Sequence, residues 1–422
     1  MVNVFKKKCL TTAFTTLIWV LFIQVSAIAQ KTKDSISKCP IKSFPEVFKK
    51  GDSILVINPL KNSFFLVIPL IGSQPATGFV YGAVGQYTFK GKNLKDKYSA
   101  INLGINYSEK KQLIVNFKNN VMLRDNKIFL SGDWRYYIFS LANYGLGSDI
   151  IPRNKNNVNF DISSFMEPMQ YNYLKFHQTI SWKVKRDFYV GAGIHIDSYS
   201  SIIDEKLDIA NGIYTHHFNY NNNNGFNNIA YYLNGVSLNM IFDSRDNQIN
   251  TNHGWYGNVN FRTNPALNKN QAASTVLFAE YRYFLPLSKT NDQHVFSIWT
   301  YGQFVTSGKV PYLNLPAIGW DQRSRSGKGY TQGLFRGYNL TYLETEYRFP
   351  ISCNQLFSGT LFANFTSVSD KDRNIRLFQY IQPAVGFGLR ILIDKATRTN
   401  LVLNYAWGNR SKAFYLNAGE SF

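Results

Sequence analysis

The residues of this chain best placed for chemistry are an arginine set among glycine and aromatic neighbours, Leu334-Phe335-Arg336-Gly337-Tyr338, and two glutamates beyond it, Glu344 and Glu346. The chemistry they suit is electrostatic. An arginine drawn out of water needs acceptors, because a buried unpaired charge is costly. Little else points to bond-making. No Gly-x-Ser-x-Gly elbow, P-loop or His-Glu-x-x-His helix occurs. Ser35-Ile36-Ser37-Lys38 matches Ser-x-x-Lys only within a polar tail. His177 lies among Lys175, Thr179 and Ser181 without an ordered third partner, so a water-hydrated histidine is the simpler reading. His216-His217 reads as an exposed pair and the asparagines at 221–224 as a flexible solvated tip. No catalytic residue, cofactor or metal is expected, and no enzymatic activity.

The elements that must position these residues are strands. In 113–123, Leu113, Val115, Phe117, Val121 and Leu123 share one face and Asn116, Lys118 and Asn120 the other. In 173–184, Leu174, Phe176, Ile180, Trp182 and Val184 oppose Lys175, His177, Thr179, Ser181 and Lys183. Period-two alternation puts each set on one sheet face. Sixteen such segments follow one another: 62–70, 79–90, 98–107, 111–123, 127–139, 171–184, 188–199, 229–243, 254–264, 273–286, 294–306, 339–350, 358–369, 379–393, 399–408 and 411–422. Several exceed the strand length of about 5–6 residues usual in soluble domains. Their polar faces carry charges of both signs, as a wet lumen requires. Links after even strands are short and the long ones, 140–170, 200–228 and 307–338, follow odd strands. That asymmetry is expected of short periplasmic turns and long outer loops, with both termini in the periplasm. The fold class is therefore all-β, an antiparallel transmembrane barrel of about sixteen strands with one loop folded into its lumen.

Composition agrees. Aromatics make up 16% of the 422 residues, which suits lipid-facing strands and interfacial girdles better than a water-soluble core. Lys6–Lys8, the apolar stretch 10–25 and Ala27-Ile28-Ala29 form a secretory leader, with cleavage before Gln30. Residues 1–29 are thus read as signal peptide, 30–60 as a short periplasmic tail and 61–422 as the barrel in the cell outer membrane. The net charge is +20, of which the leader lysines carry 3, leaving +17. No nucleic-acid motif accompanies it, so the cations are assigned to lumen, turns and lipid phosphates, with outer-membrane lipids, including lipopolysaccharide, as partners. Cys39 and Cys353 both fall on the periplasmic side, and a bridge between them stays open.

The C-terminal part resembles the BamA/TamA superfamily, the bacterial surface antigen family. The resemblance rests on Asp243-Ser244-Arg245-Asp246-Asn247 followed by Gly254-Trp255-Tyr256, on Leu334–Tyr338, and on the final strands from Val385 through Phe414 and Leu416 to Phe422, with Gly419 near the end. It implies that Arg336 sits at the tip of an in-folded sixth outer loop and pairs with Glu346, while the family's second acidic position holds Asn364. It implies that the terminal aromatic strand is read by barrel-assembly machinery during the protein's own insertion. Relatives that assemble other barrels carry periplasmic POTRA domains, for which 30–60 has no room. The expected role is insertion or translocation of proteins or lipids at the outer membrane. A passive pore or structural surface protein is the alternative, and an outer-membrane lipase a more distant third.

Overall fold

Among the described residues each alternating segment becomes a strand. The strands are β1 (Ser63–Gln74), β2 (Gly78–Phe89), β3 (Ser99–Ser108), β4 (Leu113–Leu123), β5 (Ile128–Asn143), β6 (Glu167–Lys185), β7 (Phe188–Asp204), β8 (Tyr231–Asp243), β9 (Gly254–Asn264), β10 (Ser274–Pro286), β11 (Val295–Gly308), β12 (Asn339–Pro350), β13 (Phe357–Val368), β14 (Gln382–Asp394), β15 (Thr399–Gly408) and β16 (Ser411–Ala418). Among the described residues two short α-helices, α1 (Phe44–Val47) and α2 (His216–Asn224), accompany them. The computed structural model describes residues 39–48, 63–74, 78–91, 93, 96–150, 161–267 and 272–420. The expected signal peptide, most of the 30–60 tail and Phe422 lie outside the described residues. The chain divides into Met1–Pro40 and Ile41–Phe422. Of the first unit only Cys39 and Pro40 are described, and Cys39 is disulfide-bonded.

In the second unit each strand pairs antiparallel with the next, in chain order from β1 to β16. The result is a nearly closed barrel of sixteen strands. Among the described residues no ladder joins β16 back to β1. No described helix is long and apolar enough to cross a membrane; the crossing is made by strands. Their outward faces form an apolar belt in which Phe65, Leu103, Ile105, Leu174, Leu238, Met240, Phe387 and Phe414 are exposed. Such exposure is stable only against lipid.

Four strands, β1, β5, β6 and β7, run four or more residues beyond their expected ends. With 19 residues, β6 rises roughly 60 Å at ~3.3 Å per residue, twice the hydrocarbon thickness of about 30 Å. The outward extensions of β5, β6 and β7 bring Leu141, Met169 and Ile202 to the buried cluster above the lumen, so polar alternation fails there and sequence periodicity loses them. Tyr171, Tyr173, Tyr199 and Tyr231 join Tyr220 of α2 and Tyr312, Leu313 and Leu315 of the β11–β12 loop in one buried cluster. The Tyr173 and Tyr199 rings stack 4.3 Å apart.

The expectation of a flexible asparagine tip is corrected here. Residues 221–224 are the last turn of α2, capped by the Thr215 hydroxyl, which accepts from Phe218 N–H at 3.3 Å. Asn221 is buried and accepts the Tyr312 N–H at 3.2 Å. His217 is buried as well, so only His216 of the histidine pair is exposed. The Nδ1 of His216 lies 2.7 Å from Glu167, and that hydrogen bond raises its pKa. Protonation therefore favours this contact: its contribution is full below the ordinary value of about 6.5 and fades as pH rises through the raised one. In Glu167→Gln the His216 titration, followed by NMR, should fall back toward about 6.5; an unmoved midpoint would refute the pairing.

At the periplasmic end, Lys42 N–H donates to Asn354 O at 3.1 Å, and Glu46 of α1 pairs with Lys395 at 2.9 Å. Residues 42–47 thus dock on the β12–β13 and β14–β15 turns. Cys353, in the first of these turns, is disulfide-bonded.

Candidate functional site in the lumen

The long β11–β12 loop, 309–338, turns back into the barrel. Its depth is set by a turn built around Asp321. That carboxylate accepts the N–H groups of Arg323 and Arg325, each at 3.1 Å, and of Ser326 at 2.9 Å, together with the Ser326 hydroxyl at 2.6 Å. Farther on, Gly329 packs where no side chain fits: its φ is +96° and a Cβ would lie 2.9 Å from the Gly408 nitrogen. The loop backbone therefore reaches the β14–β15 wall.

Between these two points the loop extends Lys328. Its ammonium lies 2.6 Å from Glu344 and 3.6 Å from Glu346, over the Phe362 ring at 4.2 Å. Glu346 also pairs with Arg348 at 2.6 Å and Arg390 at 3.3 Å. Arg390 in turn reaches Glu420 at 3.2 Å, and Arg348 reaches it at 3.9 Å. All six groups are buried, and three carboxylates face three cations. That balance is what lets so many charges leave water.

The expected Arg336–Glu346 pair does not form. Arg336 is buried, but it donates to the carbonyls of Leu313 at 2.9 Å and of Tyr312 and Leu315 at 3.4 Å, above the Tyr312 ring. The reason is depth. Arg336 stands three residues before β12 begins, and Glu346 lies seven residues along that strand, roughly 23 Å at ~3.3 Å each. No arginine spans that distance. Lys328, which the loop carries to that depth, is the loop cation that meets the glutamates, and Asn364 secures it by donating to Lys328 O at 3.0 Å. The rest of the motif forms the loop's neck. Leu334 and Phe335 are buried, Gly337 N–H donates to Pro316 O at 3.0 Å, and Tyr338 joins the tyrosine cluster.

The strand–turn signature closes the barrel's periplasmic end. Asp243 and Arg245 are buried in a two-point pair, both contacts at 2.9 Å, with the guanidinium over Tyr256 at 4.5 Å. Gly254 has φ +105°, and a Cβ there would lie 2.5 Å from Ser244 O, so only glycine closes this turn. Trp255 faces lipid and stacks on Phe242 at 3.8 Å. Residues 244–253 fold across the barrel: Asp246 pairs with Arg398, Asn247 donates to Thr397 O at 3.1 Å, and Arg348 donates to Thr251 O at 3.1 Å.

The closing strand was expected to run straight to Phe422. Its ladder ends at Ala418, while Phe414 and Leu416 face lipid as expected. Gly419, at φ +73°, then turns the chain inward. Glu420 has the parity of Phe414 and Leu416, so a straight strand would press its carboxylate into lipid. The turn sends it to the buried arginines instead. Arg325 of the loop holds this turn, donating to Ala418 O at 2.7 Å, Gly419 O at 2.9 Å and Glu420 O.

His177 is not simply hydrated. Its Nε2 lies 2.9 Å from Asp197, which also accepts from Tyr173 at 2.7 Å and Arg262 at 2.8 Å. His195 stands against it, 4.5 Å between ring centroids, and contacts Ser237 at 2.7 Å. The sequence reading missed Asp197 and His195, although both have lumen parity on β7. Tyr173, His177, His195, Asp197 and Arg262 line a cavity of about 220 Å³, and Gln322 lies between it and a second of about 330 Å³.

A family model described as the Omp85 superfamily domain matches residues 152–422. Among solved structures, the barrel is similar to BamA from Haemophilus ducreyi lacking POTRA domains 1-3, with 12% identity and a TM-score of 0.53, covering 85% of this chain and 70% of that one. It is also similar to CdiB from Acinetobacter baumannii, with 13% identity and a TM-score of 0.47, covering 82% of this chain and 56% of that one. No curated protein matches the sequence.

Proposed function

The chain belongs to the Omp85 superfamily, and from that premise we propose that it serves insertion or translocation of proteins or lipids at the outer membrane through the seam between β1 and β16. The observation that carries this reading is that, among the described residues, the two edge strands are not joined. β16 is the shortest strand among the described residues, eight residues against twelve in β1. Its end is drawn away from the wall at Gly419, and on the other edge Pro69 offers no N–H to a neighbour. An edge so poorly paired can template an incoming strand. A passive pore is less well supported, because the long loop fills the lumen that a pore would keep open.

Cysteines replacing Phe65 or Val67 on β1 and Phe414 or Leu416 on β16 test the seam. Cells carrying an oxidised cross-link should show the outer-membrane protein and lipid profile of cells depleted of the protein, with recovery on reduction. A fully formed cross-link with an unchanged profile would refute the reading.

A further inference from the structure

The larger cavity, about 330 Å³, is bounded by both edge strands and has two chemically distinct walls. One wall is apolar. Ile68 and Leu70 of β1 and Val84 of β2 line it, and Phe64 and Leu66 share the inward face of β1 by period two. Phe65 and Val67 are exposed on the opposite face. The first strand is therefore apolar on both sides, a pattern proper to a strand buried on both faces rather than one bordering a wet lumen.

The other wall is cationic. Lys118 of β4 and Arg323 and Arg325 of the in-folded loop line it. Their hydrogen-bond partners are neutral: Lys118 donates to Ser324 at 3.3 Å, Arg323 to Gln248 O at 3.3 Å, and Arg325 to the carbonyls at 418–420. Among the described residues none of the three forms an ion pair with a carboxylate within 4.0 Å. The carboxylates nearby are committed elsewhere, Asp321 to the N–H groups of its own turn and Glu420 to Arg390 and Asn400.

We propose that this cavity binds an anionic phospholipid from the membrane, its phosphate among Lys118, Arg323 and Arg325 and an acyl chain along the inner face of β1. Charge complementarity selects the headgroup. The lining sets three cations against one carboxylate, Glu420, which is engaged by Arg390 and Asn400. Guanidinium and ammonium groups held only by neutral partners suit phosphate oxygens. The unjoined edges select the source. A lipid can lay its remaining chain between β1 and β16 into the bilayer, whereas a soluble phosphate leaves the apolar wall uncovered. The site does not depend on the insertion reading; a barrel that inserts nothing could still hold the lipid.

Native mass spectrometry of the full-length barrel, released from micelles holding equal amounts of phosphatidylglycerol and phosphatidylethanolamine, tests this. One phosphatidylglycerol should stay bound in preference. Lys118→Gln with Arg323→Gln should lower its retention about tenfold, the loss expected when charge-assisted bonds are removed. Ile68→Asn should lower retention of both lipids. Because Ile68→Asn can also disturb folding, the lumen double variant, checked by its heat-modifiable gel shift, carries the decision. Equal retention of the two lipids, no response to the double variant, or displacement of the lipid by millimolar inorganic phosphate would each overturn the proposal.

Discussion

Glu346→Ala is expected to destabilise the barrel by about 3 kcal/mol, near the lower end of the ~3–5 kcal/mol found when one partner of a buried ion pair is removed. Glu346 stands between Arg348, Arg390 and Lys328, in a network where three carboxylates balance three cations. Removing it leaves one positive charge in excess within a buried site. The loss stays near the lower limit because Glu420 still faces both arginines and Glu344 still faces Lys328. Urea midpoints and the temperature of the heat-modifiable gel shift measure it. Restoring the balance should recover part of the loss, so Lys328→Gln combined with Glu346→Gln should be more stable than the sum of the single changes indicates. A double-mutant cycle should give Lys328 and Glu346 a coupling of about 1 kcal/mol or more, and Arg336 and Glu346 none beyond ~0.5 kcal/mol, as for groups that share no partner. Strong coupling of Arg336 to Glu346, or a Glu346→Ala barrel as stable as the parent, would contradict the network.

This contrast between Arg336 and Lys328 marks where the sequence stops being readable. Strand number, order and facing were all legible, because period two is a property of neighbouring residues and needs no knowledge of depth. That the β11–β12 loop enters the barrel was legible from the resemblance of Leu334–Tyr338. Which cation meets Glu346 was not, because it depends on where the loop reverses. The reversal is made by Asp321 accepting backbone N–H groups, an interaction with no periodic trace. The tyrosine cluster was hidden for another reason: Tyr171, Tyr173, Tyr199 and Tyr231 lie inside expected strands, but their partners Tyr220 and Tyr312 come from connections, and no local period shows that these meet. Glu420 did leave a readable sign. A carboxylate at lipid-facing parity one residue after a glycine is a contradiction that only a turn can resolve, and Gly419 makes that turn.

Excision of 319–332 should convert the plugged barrel into a conducting one. The neck tolerates this cut because its two sides already meet: Ile318 N–H donates to Phe335 O at 3.0 Å and Gly333 N–H to Ile318 O at 2.9 Å. Arg336 keeps its carbonyl partners in the neck, and the tyrosine cluster stays behind. Excising 333–338 instead would destroy the neck and is expected to unfold the outer half. The cut removes Lys328, so Glu344→Gln should accompany it to prevent an orphaned carboxylate. With the loop gone, the two cavities that Gln322 lies between become one lumen. The long outer connections lie between β5 and β14, while β3 and β4 are joined by a short turn, so the new opening faces outward over β1–β4. Below it, residues 244–253 still narrow the periplasmic mouth through Asn247 and Asp246. Planar-bilayer conductance should therefore rise in two steps, first on excision and then on shortening this floor, by roughly an order of magnitude in all toward the aqueous channel that sixteen strands can enclose. A parent protein that already conducts like the excised one would favour the passive pore. Silence after both cuts, in a barrel that still shows the gel shift, would mean that the tyrosine cluster and not the loop is the seal.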